Sequence, residues 1–149
     1  MDYLKLAQEL SKAKRRMARI PNFRKFIDPD NGERFVLGYL GDSTAPVSPK
    51  EIAEAMNVSS ARIASIINQL ELKGMVQRRT NENDGRYTVV ELLLEGSLQR
   101  QKNMETFNQS AASFLEALGP EDAAEYVRLQ NKIADIYSKK LNKDQEDFH

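Results

Sequence analysis

The sequence predicts a mainly α-helical chain of α+β type that carries one β-hairpin. Three observations predict it. Apolar residues recur at spacings of three and four at both ends of the chain, the rhythm of helix faces that need a partner. Helix start and stop signals, SPKE at 48–51, LKG at 72–74 and GPED at 119–122, cut the chain into units. One stretch, MVQRR at 75–79, then TNEN and DGRYTVVEL, replaces that rhythm with β-formers around a polar tip containing Gly85.

The elements follow in order. Residues 2–20 form a helix on which Tyr3, Leu6, Leu10, Ala13, Met17 and Ile20 make an apolar stripe. Pro21 ends it, and PNFRKFIDPDNG is a connector of turn formers. A short apolar helix, ERFVLGYLG at 33–41, is closed by Gly41. At 48–57 Ser48 is the N-cap, Pro49 fits the first helical position and Glu51 completes a capping box. Ile52, Ala53 and Met56 face inward, and NVS is a tight turn. The next helix, 60–73, is capped by Ser59, buries Ile63, Ile66, Ile67 and Leu70, and stops at Gly74. The hairpin has strands at 75–79 and 86–92 and a tip at 80–85, with Thr88, Val90 and Leu92 on one face and Tyr87, Val89 and Glu91 on the other. A long helix from Leu93 to Leu118 carries Met104, Phe107, Ala111, Phe114 and Leu118. After GPED a last helix, 121–141, carries Tyr126, Leu129, Ile133 and Ile136 or Tyr137, before a frayed tail.

Composition narrows the function. A chain of 149 residues suits one domain, with or without an oligomerisation arm. No apolar run approaches the ~18 residues that span a bilayer. The start MDYLKLAQEL is too broken by charge for a signal peptide, so a cytoplasmic protein without a membrane partner is expected. There is no cysteine, and the one histidine is His149 at the terminus. A disulfide, a zinc site and histidine acid–base chemistry are therefore not expected. Glycine-rich phosphate loops and nucleophile–base pairs are missing too. The expectation is a non-enzyme with no cofactor and no metal.

Net charge is zero, but it is unevenly spread. Between Leu10 and Asp28 every charge is basic: Lys12, Lys14, Arg15, Arg16, Arg19, Arg24 and Lys25. A second group is Lys73, Arg78, Arg79 and Arg86. A neutral chain can thus present a basic face to nucleic acid, although a solvated helix surface is the commoner reason for a charge run.

Two short helices joined by a three-residue turn make a helix-turn-helix, and the hairpin makes it winged. A helix fits the major groove, and a hairpin arginine can enter the narrower minor groove. At 46–96 the chain resembles the MarR family of regulators. The wing signature D-x-R-x-x-x-V-x-L-T-x-x-G is met by Asp84, Arg86, Val90, Leu92 and Gly96, with Leu93 in place of threonine. LELKGMVQRR is similar to the family's L-E-x-K-G-L-V-x-R. The first 45 residues match in pattern only, and the proline-containing connector is a departure.

The resemblance implies a winged helix-turn-helix flanked by N- and C-terminal dimerisation helices: 1–31 as arm and connector, 32–92 as DNA-binding domain, 93–149 as C-terminal dimerisation helices. It implies a homodimer on double-stranded DNA, a repressor on a palindromic operator. Arg86 is then the wing-tip arginine and Asp84 its brace. Ser60, Ala61, Arg62, Ser65 and Gln69 form the DNA face of the recognition helix, Lys50 meets a phosphate, and Arg78 and Arg79 neutralise phosphates beside the wing. Tyr3, Leu6, Leu10, Met104, Phe107, Phe114, Leu118, Tyr126, Leu129 and Ile133 belong to the dimer core. A small aromatic or anionic effector would use Arg15, Arg16, Phe23, Phe35 and Tyr39, with ordinary helix packing as the alternative. The rival reading is a winged helix that contacts a partner protein without sequence-specific DNA binding.

Overall fold

The computed structural model describes residues 1–23, 32–80 and 88–146. In chain order the elements are α1 (Tyr3–Ala18), α2 (Glu33–Asp42), α3 (Pro49–Met56), α4 (Ser60–Leu72), β1 (Val76–Thr80), β2 (Thr88–Leu92), α5 (Leu94–Leu118) and α6 (Pro120–Glu146). The mainly α winged-helix class is the one observed.

Local chemistry sets most boundaries. Asp2 caps α1 by accepting from the Lys5 amide at 3.1 Å. The helix stops at Ala18, two residues before its expected end, because Arg19 and Ile20 bond back only three residues and Ile20 precedes Pro21. Ser48 and Ser59 cap α3 and α4, accepting from the amides of Glu51 (3.1 Å) and Arg62 (3.2 Å). Between them Asn57 takes a left-handed conformation (φ 56°), which makes the turn tight. Ser59→Ala should cost about 1 kcal/mol by removing a partner for an otherwise unpaired amide. Thermal unfolding would show it as a lowered midpoint.

Three expectations are corrected. The Glu51 carboxylate, expected to return to Ser48, instead accepts the Tyr39 hydroxyl at 2.7 Å. That bond, then burial and the Glu51 charge, push the Tyr39 phenol above its ordinary pKa. Gly41 does not close α2, which runs to Asp42 with Ser43 at its cap. The missing Cβ at Gly41 leaves room for the Arg100 side chain, whose Nη2 pairs with Asp42 Oδ1 at 2.6 Å. Finally, α6 continues to Glu146, into the segment expected to fray, since Lys143 is a good helix former and no glycine or proline intervenes; the rest of that segment lies outside the described residues.

The core lies in the middle block. Val36 and Leu37 of α2, Ile52 of α3, and Ile63, Ile67 and Leu70 of α4 are fully or almost fully buried, with Val47, Val76 and Val90 beside them. The strands pair antiparallel in the register Val76↔Leu92 to Thr80↔Thr88. Val90 is also bridged to Val47, its amide donating to the Val47 carbonyl at 2.8 Å, so a third segment flanks the hairpin. Val89 and Val90 are adjacent on β2 and both are buried, so the strand is covered on both sides here.

The chain divides into two units, Met1–Phe107 and Asn108–His149. In the second, Gly119 (φ 85°) breaks the helical path and Pro120 restarts it, with Glu121 and Asp122 in the first turn. Phe114 meets Tyr126 edge to face at 5.4 Å between ring centres. No helix among the described residues is long and apolar enough to cross a membrane.

Candidate nucleic-acid interface

Helix α4 has two unlike faces. Ile63, Ile67 and Leu70 are completely buried, and this pins the rotation of the helix. The residues between them then have one place to go. Ser60, Ala61, Arg62, Ser65 and Gln69 are all exposed, as is Lys50 near the start of α3. The face expected from the sequence is therefore a continuous exposed surface, with Ser60, Ala61 and Arg62 in its first turn.

Arg78 and Arg79 each pair with an acid. Arg78 pairs through Nη1 with Glu71 of α4, and its Nη2 donates to the Ala64 carbonyl at 3.2 Å. Its backbone amide also donates to Glu71 at 3.4 Å. Arg79 pairs with Glu91 across the hairpin, and Gln77 donates to the same carboxylate at 2.9 Å. The Gln77 bond first, and Arg79 second, hold the Glu91 carboxyl below its ordinary range. The sequence leaves both arginines open to phosphate, because neighbours seven and twelve residues away cannot be paired by spacing alone. Asp84 and Arg86 lie outside the described residues.

The residues expected to form an effector pocket do not share a described cavity. Phe35 and Tyr39 stack at 6.1 Å and pack against the core. Arg15 bonds Ser11 on its own helix at 2.9 Å, and Arg16 is exposed. An open cavity on α1 is lined by Ala7, Leu10, Ser11, Lys14, Arg15 and Ala18, and neither Phe35 nor Tyr39 joins it. Phe23 sits half-buried in the turn after α1. No cluster of acids or His able to hold a metal occurs among the described residues.

The residues assigned to a dimer core stand open in the single chain. Tyr3 is 77% exposed, Leu10 55% and Ile133 50%. Leu6, Met104, Phe107, Leu118, Tyr126 and Leu129 are exposed as well, and Phe114 is half-buried against Tyr126. Exposed apolar stripes of this kind mark interaction surfaces.

Comparison with known proteins agrees with this architecture. Residues 31–86 match the MarR family. The uncharacterized HTH-type transcriptional regulator YdgJ of Bacillus subtilis (strain 168) is 28% identical over 96 residues, which are 64% of this chain and 54% of that protein. The chain thus matches about half the length of that curated relative. Among solved structures, the MarR family transcription regulator SP03579 is similar with a TM-score of 0.66 at 18% identity, covering 93% of this chain and 92% of that one. A variant of S. aureus MepR bound to an oligodeoxyribonucleotide has a TM-score of 0.54 at 18% identity, covering 93% and 98%. With the winged helix in place, residues 31–86 are thus similar to the MarR family, and the chain shares the fold of solved MarR-family regulators.

Proposed function

We propose that the chain is a DNA-binding transcriptional regulator that acts as a homodimeric repressor on a palindromic site. The observation that carries this reading is the exposed face of α4, held outward by three completely buried residues. Its first turn presents Arg62, whose guanidinium suits a bidentate bond to guanine, and Ser60, which suits a phosphate or base. Apolar stripes on α1, α5 and α6 support the dimer, because a second copy supplies matching surface at no extra genetic cost. A two-fold dimer then sets half-sites about one DNA turn, ~34 Å, apart. The division into arm, winged helix and C-terminal helices at 31/32 and 92/93 belongs to the same proposal. The likeness to a MepR variant with bound oligodeoxyribonucleotide supports DNA as the partner.

A second reading draws on the internal pairing of Arg78 and Arg79: a winged helix whose hairpin side contacts a protein. Fluorescence anisotropy on mixed-sequence duplexes at two salt concentrations separates the two. The regulator should bind, weaken steeply with salt, and lose affinity in both Arg62→Ala and Arg86→Ala. Absence of binding at low salt, or wild-type affinity in both variants, would move the protein-contact reading to the front.

A further inference from the structure

The winged helix of this chain has no surplus of positive charge. Over residues 32–80 and β2, Arg34, Lys50, Arg62, Lys73, Arg78 and Arg79 stand against Glu33, Asp42, Glu51, Glu54, Glu71 and Glu91. Three of those bases are held by acids: Lys73 by Glu33, Arg78 by Glu71 and Arg79 by Glu91. Residues 81–87 add Glu82 and Asp84 against Arg86. Affinity for a duplex rests largely on neutralising phosphates, so a DNA-binding chain needs an unneutralised cationic surface somewhere.

That surface is on α1. From Lys12 to Arg19 there are five bases and no acid: Lys12, Lys14, Arg15, Arg16 and Arg19. All five are exposed, and none has an ion-pair partner among the described residues. Spacings of four and three put Lys12, Arg16 and Arg19 on one face. The apolar stripe of Leu6, Leu10, Ala13 and Met17 lies about a third of a turn away, at about 100° per residue. The ridge is therefore not consumed when the stripe is covered. Its three cations span about 10 Å, the rise of about three base pairs. Lys14 stands on the opposite side of the helix from Lys12.

We infer that the ridge Lys12–Arg16–Arg19 is a second DNA-binding surface, which holds the phosphate backbone and adds salt-dependent affinity to that of Lys50 and Arg62 on the winged helix. This rests on the proposed regulator function and adds a contact surface to it. Contacts to the phosphate backbone set position and read charge, not base sequence.

The test compares wild type with K12Q/R16Q/R19Q on a mixed-sequence duplex, measuring affinity against salt. The slope of log K on log salt should become shallower by about 0.9 for each phosphate that is no longer neutralised, approaching about 5 for a dimer in which six are released. Circular dichroism and sedimentation should match wild type. A variant that binds with an unchanged slope overturns the inference. Lysine acetylation of wild type, read by mass spectrometry with and without duplex, keeps the question open to refutation if the variant fails to fold. Lys12 should be protected by DNA and Lys14 should not. Equal labelling of Lys12 in both states overturns it, and pelleting of wild type with phosphatidylserine vesicles would then assign the ridge to an anionic membrane surface. If wild type binds no duplex at all, it is the regulator proposal that fails.

Discussion

Replacing Gly96 by alanine is expected to destabilise the chain by about 1–3 kcal/mol, the usual cost of forcing an atom into a filled site. The direction is the informative part. Inside a helix, alanine normally improves on glycine by about 1 kcal/mol. At Gly96, in the first turn of α5, the added methyl would run into the Met75 carbonyl and stand 2.7 Å from Leu92 Cδ1. The first obstacle is backbone and cannot rotate away. It is also pinned, because the Leu93 amide donates to that same Met75 carbonyl at 2.9 Å. The start of α5 is thus fastened to the residue before β1, and the winged helix is joined to its C-terminal helix through this close approach. Gly38 of α2 is the control: nothing lies within 4 Å of the place a methyl would occupy there. Gly38→Ala should therefore stabilise by about 0.4–1 kcal/mol, mostly through the unfolded chain. Urea unfolding of both variants checks the pair. A Gly96→Ala protein as stable as Gly38→Ala would refute the fastening.

The same glycine shows what the sequence could and could not say. Its place in the wing signature is visible as a pattern, but the reason for it is a carbonyl twenty-one positions upstream. Signals that act within a turn of helix were legible: the caps at Ser48 and Ser59, the stop at Gly74, the restart at Pro120. Each is satisfied by atoms a few residues away, so local chemistry is enough. The bridge from Val47 to Val90 was not legible, since it joins segments on either side of two helices and lets two adjacent valines be buried. The exposed face of α4 followed from the buried spacing of Ile63, Ile67 and Leu70. The fates of Arg78 and Arg79 did not, because a basic residue reads the same in a sequence whether an acid waits beside it or not.

Arg78 gives the second large effect. Arg78→Ala is expected to weaken duplex binding about tenfold, about 1.4 kcal/mol, while leaving the salt slope unchanged. Arg78 ties β1 to α4 by two routes, the Glu71 carboxylate and the Ala64 carbonyl. Ala64 lies in the half of α4 that carries Arg62 and Ser65, so the tie sets the hairpin against the recognition surface. About a third of each side chain in the Arg78–Glu71 pair is exposed (28% and 34%), and solvent screens it. The stability cost should accordingly be modest, about 1 kcal/mol. Two roles for Arg78 then make opposite forecasts. A phosphate contact would show as a slope shallower by about 0.9 per site, and lysine would largely restore it, because a point charge suffices. A tie needs the forked guanidinium, which reaches a carboxylate and a carbonyl together from one planar group. Arg78→Lys should then remain as weak as Arg78→Ala, with the wild-type slope in both. Anisotropy titrations over a salt series decide between them, and rescue by lysine would return Arg78 to the phosphate backbone.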